Sequence, residues 1–368
     1  MLVLACGPPR DPGLSTDEIT ALVRAGTNEP GLWAAAVRAG LLAAGKPVDV
    51  DHSCQVLALI EQESGYDADP EVPGLAALVE RELQAEVTAK LGFLGPKALE
   101  LVLDVTPDGG SRSFREQLRA VRTERDLDLL FRAMLQHHQA KAPMLGSALQ
   151  RLFPALLDRL NPVSTAGSMQ VAVAWTAAQP DCRGLSSAEV RDRLYTIEGG
   201  VRFGTLRLYA HEADYDRSAY RYADYNAGLY ASRNTAFQLR LRHLSGMEVD
   251  ADGDLLAYTR RGTVSDTDGQ SMAALLAWRA RDAPDLDEAQ LRADLRLEKH
   301  LEFEDTQTWA RTRQSWAALY PDDPPDYARL PDVALDSPKL SADLTTRWFA
   351  EKVEARHRNC MKRAPEGG

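Results

Sequence analysis

The chain has 368 residues, of which 44% are hydrophobic and 26% charged, a balance that excludes intrinsic disorder as its main state. With only 4 Cys it is not a disulfide-stapled mini-fold. Asp plus Glu is 54 against 43 Lys plus Arg, a net charge of −11 with no basic block, which argues against holding nucleic acid or an anionic membrane by charge. No run of about 18 apolar residues occurs, so the sequence offers no bilayer-spanning helix.

The chain opens Met1-Leu2-Val3-Leu4-Ala5-Cys6-Gly7, an apolar stub ending in a small residue and then Cys. This is similar to the end of a bacterial lipoprotein signal, although the stub is short and has no basic n-region. It implies acylation at Cys6, with Pro8 to Gly13 as an extended tether. Acyl chains anchor by about 0.8 kcal/mol per buried CH₂. The body would then lie in the cell envelope, on the periplasmic side or at the surface of the outer membrane. There, Cys54, Cys182 and Cys360 either include one disulfide and leave one thiol, or are all free buried thiols. Their spacing fits no zinc motif, and no metal or cofactor is expected.

Most of the chain reads as helix. Ser15-x-x-Glu18 and Ser186-x-x-Glu189 are capping boxes. Helical spacing of apolar residues runs through 31–44, 52–64, 74–92, 96–105, 113–138, 143–160, 187–211 and 233–244. Met247-Glu248-Val249 and Leu255 to Tyr258, joined by an Asp-rich turn, read as a β-hairpin. A calcium loop starting at Asp250 would need Gly at its sixth position, which is Leu255. Thr267-x-x-Gln270 opens another helix, and helices follow near 287–300 and 342–358. The fold class is all-α in the main, with a small β-hairpin toward the C-terminus.

The segment from Asp51 to Tyr66 carries the first chemical signal. Val56, Leu59, Ile60 and Glu63 fall at i, i+3, i+4 and i+7, so Glu63 shares the apolar face while Glu61 points elsewhere. Gly65 is suited to end this helix, which places Glu63 in its last turn. The negative end of the helix dipole and the loss of water both push a carboxyl pKa up. An acid that stays protonated near neutral pH can protonate a glycosidic oxygen.

Three later motifs follow in order: Gly167-Ser168-Met169-Gln170, Ile197 with Gly200, and Tyr225-Asn226-Ala227-Gly228. Together with Glu63-Ser64 they resemble the signature of the lytic transglycosylases related to goose-type lysozyme. The resemblance covers about residues 50–240 and implies a lysozyme-like core. It implies that Glu63 protonates the oxygen between N-acetylmuramic acid and N-acetylglucosamine. As a carboxylate, Glu63 would then take the proton of the muramyl 6-hydroxyl, which closes a 1,6-anhydro ring. One carboxyl serves both steps, so a second carboxylate is not needed. Ser64 is expected near the acid, with Gln170, Tyr225 and Asn226 as substrate-binding groups and Met169 and Tyr222 as weaker candidates.

The sequence also departs from that pattern. Ser168 replaces the usual Leu, Asp224 replaces the usual Ala, and roughly 100 residues separate Glu63 from Gly167. The long insertion, the lipobox and the C-terminal segment together resemble a family of uncharacterised proteobacterial lipoproteins with a transglycosylase-like core. The expected organisation is a tether at 1–14, a lysozyme-like core at 15–240 with a helical insertion at about 67–160, and an accessory region at 241–368. The expected substrate is peptidoglycan, with membrane attachment through Cys6, no nucleic acid, and room for a protein partner. One competing reading is a non-catalytic peptidoglycan- or partner-binding lipoprotein. Another is a muramidase-type hydrolase in which Asp224 activates water.

Overall fold

The computed structural model describes residues 13–141, 161, 163–259, 262–334 and 344–365. Cys6 and the helix expected at 143–160 lie outside the described residues. The protein is mainly helical, as expected. In chain order the helices are α1 (Thr16–Leu22), α2 (Pro30–Ala43), α3 (Val50–Glu63), α4 (Leu75–Leu91), α5 (Gly95–Leu103), α6 (Phe114–Leu118) and α7 (Glu124–Lys141). Then come α8 (Val173–Ala177), α9 (Ser187–Leu194), α10 (Ile197–Leu208), α11 (Ser218–Ala227) and α12 (Ala231–Ser245). The last are α13 (Gln270–Asp282), α14 (Glu288–Leu295), α15 (Gln307–Leu319) and α16 (Thr346–Met361). Among the described residues, no helix is long and apolar enough to cross a membrane.

Both expected capping boxes form. Ser15 Oγ accepts from the Glu18 N–H, and Ser186 Oγ accepts from the Glu189 N–H. Two expected long helices are broken by caps that the apolar pattern hides. The 113–138 stretch divides into α6 and α7 because the Thr123 hydroxyl accepts the Asp126 N–H at 3.0 Å and starts a new helix. The 187–211 stretch divides because the Thr196 hydroxyl accepts the Gly199 N–H at 2.9 Å. Gly269, not Thr267, precedes the first residue of α13.

The small hairpin is present, but at another place. β1 (Thr165–Ala166) and β2 (Val171–Ala172) pair antiparallel, with Ala166 opposite Val171. Residues 247–258 form no strand, because side chains satisfy their main-chain groups instead. Gln270 Oε1 accepts the Asp250 N–H at 2.8 Å, and Gln238 Oε1 accepts the Gly253 N–H at 2.8 Å. The buried Glu298 carboxylate accepts the N–H groups of Leu255 and Leu256. With those donors occupied the pairing stops at one isolated antiparallel bridge, Tyr258 with Val264.

The residues group into two compact units. Among the described residues, the first comprises 13–62, 205–334 and 344–365, and the second comprises 63–141 and 161–204. The expected boundary at 240/241 falls inside α12. Phe237, Leu241 and Leu244 of α12 share one apolar cluster with Met272, Leu275 and Trp278 of α13 and with Leu295, Phe303 and Trp309. Cutting there would expose that cluster to water.

Also within the first unit, Cys54 of α3 is bonded to Cys360 of α16, and Cys182 of the second unit remains a buried free thiol. Of the two open alternatives, one disulfide with one thiol or free buried thiols throughout, the first is the one that forms. The bridge spans a sequence separation of 306. Closing so long a loop restricts the unfolded chain, and removing a native bridge of this kind costs about 2–5 kcal/mol. Cys360→Ser is expected to lower the urea midpoint accordingly. A midpoint equal to that of the oxidised parent would count against this assignment.

Candidate functional site

In the second unit, the Gly-Ser-Met-Gln motif is the turn of the β1–β2 hairpin. The Gln170 N–H donates to Gly167 O at 3.0 Å, and the turn holds Gly167 at φ 79 and Gln170 at φ 50. The second motif lies against it. A Cβ on Gly167 would fall 2.0 Å from the Leu194 carbonyl oxygen. One on Gly200 would fall 2.8 Å from Ser168 Oγ, and one on Gly204 would fall 2.2 Å from Met169 Sδ. Two sequence motifs about thirty residues apart therefore interlock, and glycine is required because the end of α9 at Leu194 and the start of α10 lie directly on the turn. Gly167→Ala combines left-handed strain with a clash against main chain, and is expected to cost about 2–5 kcal/mol by urea denaturation.

This packing also decides the fate of several candidates. Met169 has 0% exposure and is a packing residue, so its expected role at a substrate is corrected. Gln170 is half-buried and its amide is engaged locally. It accepts from the Thr165 hydroxyl at 2.9 Å, and its Nε2 donates to Glu124 and to the Gly167 carbonyl, both at 3.3 Å. Ligand binding by Gln170 would have to exchange one of these partners.

Glu63 is the last residue of α3, at the point where the chain passes into the second unit, and both Glu63 and Ser64 are half-buried. Gly65 follows at φ 63, as the helix end requires. The helix is enclosed more fully than one stripe implies, since Ser53, Cys54 and Val56–Ile60 are all buried. Glu61 faces elsewhere, with Arg24 at 3.9 Å and Arg356 at 3.8 Å.

The Tyr-Asn-Ala-Gly motif ends α11 in the first unit, with Gly228 donating its N–H to the Asp224 carbonyl. Tyr225 is half-buried, while Asn226 is exposed and accepts from the Thr346 hydroxyl at 3.2 Å. Tyr222 has 0% exposure and its hydroxyl donates to the Gln55 carbonyl at 3.4 Å, so it is core and not a sugar-facing ring. Burial pushes its hydroxyl well above the usual tyrosine range.

Asp224 is likewise corrected as a water-activating base. It has 0% exposure, and its carboxylate accepts from the Tyr215 hydroxyl at 2.6 Å and from the Ser232 N–H at 2.7 Å. His211 Nε2 lies 3.0 Å away. No open position remains for a nucleophilic water. Burial, with Asp224 beside it, pushes the Tyr215 hydroxyl well above its ordinary value.

Elsewhere in the first unit a polar cavity is lined by Asp51, Ser218 and His357 among others. The sequence reading passes over these three. They stand far apart in the chain and no local motif joins them.

Comparison with known proteins adds the family. A model described as a protein of unknown function (DUF1615) matches residues 26–363. The uncharacterized protein YaiW of Escherichia coli (strain K12) is 31% identical over 364 residues, covering 96% of this chain and 92% of that protein. No solved structure matches.

Proposed function

The chain belongs to the DUF1615 family, and within that family we propose that it is a peptidoglycan lytic transglycosylase anchored in the bacterial envelope through Cys6. Glu63 is the acid. It protonates the oxygen that leaves N-acetylmuramic acid as the bond to C1 breaks. It then accepts the proton of the muramyl 6-hydroxyl as that oxygen bonds to C1. The glycan is cut without water and carries a 1,6-anhydro end.

The observation that carries this reading is the interlocking of the Gly167–Gln170 turn with the end of α9 at Gly167 and with α10 at Gly200 and Gly204, in the unit that begins at Glu63. Chance matches to two short motifs would have no reason to require glycine where they meet. The Cys54–Cys360 disulfide supports an extracytoplasmic site, because reducing cytosol rarely preserves such bonds. With Met169 buried, sugar contacts in the unit that begins at Glu63 fall to Ser64 and Gln170. A net charge of −11 gives no bulk attraction for an acidic polymer, so hydrogen bonds must hold the glycan.

The test is digestion of purified sacculi by the parent protein and by Glu63→Gln, with mass spectrometry of the products. Anhydro-muropeptides from the parent alone support the proposal. Reducing-end products would make the protein a hydrolase. No product from either, with sacculus binding retained, would make it a binding module, the reading favoured by the locally engaged Gln170 amide.

A further inference from the structure

The polar cavity of the first unit has a volume of about 430 Å³. It lies among α3, α11 and α16, with Asp51, Gln55, Tyr209, Ser218, Arg221 and His357 in its wall. Ser218 is the first residue of α11, and its Oγ lies 3.3 Å from His357 Nδ1. On the other side of the ring, His357 Nε2 lies 3.0 Å from Asp51 Oδ1. That approach is off the ideal hydrogen-bond line, so the contact is an ion-pair distance and not an aligned bond. Gln55 Nε2 donates to Asp51 Oδ2 at 2.7 Å and steadies the carboxylate.

The order Ser–His–Asp gives each group a role. A carboxylate at Nε2 favours the tautomer with its proton there, which leaves the Nδ1 lone pair facing the serine. His357, opposed by burial, holds the Asp51 carboxyl below its usual range, so it stays charged at neutral pH. The positive end of the α11 dipole lies at Ser218, where charge would develop on a carbonyl oxygen. The cysteines of the disulfide stand three residues beyond Asp51 and His357 on their helices, on the same faces. The covalent bond therefore ties together the two helices that carry the pair.

The charges around the cavity suggest what it accepts. Arg217 and Arg358 both pair with Glu354, at 2.9 and 2.8 Å, and Lys46 pairs with Glu212 at 2.8 Å. The Arg221 guanidinium is instead held by the carbonyls of Leu208, His211 and Ala213, which fix its position without neutralising its charge.

We propose that Ser218, His357 and Asp51 form a second active site, which hydrolyses small carboxylic esters bearing an anionic group held by Arg221. Ser218 Oγ adds to the ester carbonyl carbon as its proton passes to His357 Nδ1. The ester C–O bond then breaks, the alcohol leaves with the proton from His357, and an acyl group remains on Ser218. Water gives a proton to His357 and adds to the acyl carbon. The acid departs, and Ser218 recovers its proton. Ester and water are consumed, and acid and alcohol are formed.

The experiment is exposure of the oxidised full chain to a fluorophosphonate probe, with peptide mass spectrometry of the adduct. The expected result is one adduct, on Ser218, absent from Ser218→Ala and formed about 10²-fold more slowly in His357→Gln. In parallel, 4-nitrophenyl hemisuccinate should be cleaved faster than 4-nitrophenyl acetate, and Arg221→Met should remove that preference. If Ser218→Ala does not fold, Ser218→Cys takes its place. Its thiol should react with iodoacetamide, and adding His357→Gln should slow this about tenfold. No adduct on the folded parent, an adduct at another residue, or equal rates in the parent and the His357 variant would overturn the proposal. A purely structural Ser–His contact gives no covalent product.

Discussion

Asp224→Ala is expected to destabilise the protein by about 3–5 kcal/mol, a large part of the about 5–15 kcal/mol that holds a typical domain. The substitution removes the acceptor of the Tyr215 hydroxyl and of the Ser232 N–H, together with the carboxylate beside His211. Each buried polar group left without a partner costs about 1–3 kcal/mol. His211 and Ser232 cannot turn to water, because both are buried with Asp224, while Tyr215 is half-buried. Asp224→Asn should cost less. It keeps the shape of the side chain and one oxygen for the Ser232 N–H. The measurement is the urea midpoint of both variants at constant slope. An alanine variant within about 0.5 kcal/mol of the parent would show that this network is not what holds α11.

Glu63→Gln is expected to reduce release of anhydro-muropeptides by about 10²–10⁴-fold while leaving the thermal midpoint unchanged. Glutamine matches glutamate in size, so the end of α3 and the Gly65 turn are kept. What the amide lacks is the proton to give and the basicity to take one back. Both half-reactions of the proposed cycle fail together, which separates this loss from a weakened contact to sugar. A variant of the half-buried Ser64 or Gln170 acts on binding, and saturating substrate should recover part of its rate. Product formation by Glu63→Gln at the parent rate would remove Glu63 from the chemistry.

Much of the helical layout was readable because helix signals are local. Ser15 with Glu18 and Ser186 with Glu189 sit three residues apart, and the chemistry that starts a helix is complete within that span. Periodicity located α2, α3, α4 and α12 to within about two residues for the same reason. The break between α6 and α7 was missed because apolar spacing continues across it, while the decisive cap is one hydroxyl, Thr123. Helix α15 was missed altogether. Trp309 packs it into the core, but its surroundings in sequence are mixed and polar.

The sequence by itself determined that this is a mainly helical protein and where its glycine-bearing motifs stand. Each follows from composition or from residues within a turn of one another. Only the tertiary structure decided which cysteines join, where the hairpin forms, and that Asp224, Tyr222 and Met169 belong to the interior. Burial is a property of what packs on a residue, and the partners come from elsewhere in the chain. Residues 247–258 had strand-like spacing, yet Gln238, Gln270 and Glu298 took their main-chain donors first. Ser218, His357 and Asp51 show the same limit. No spacing rule joins positions 51, 218 and 357, and they meet only because α3, α11 and α16 bring them to one cavity.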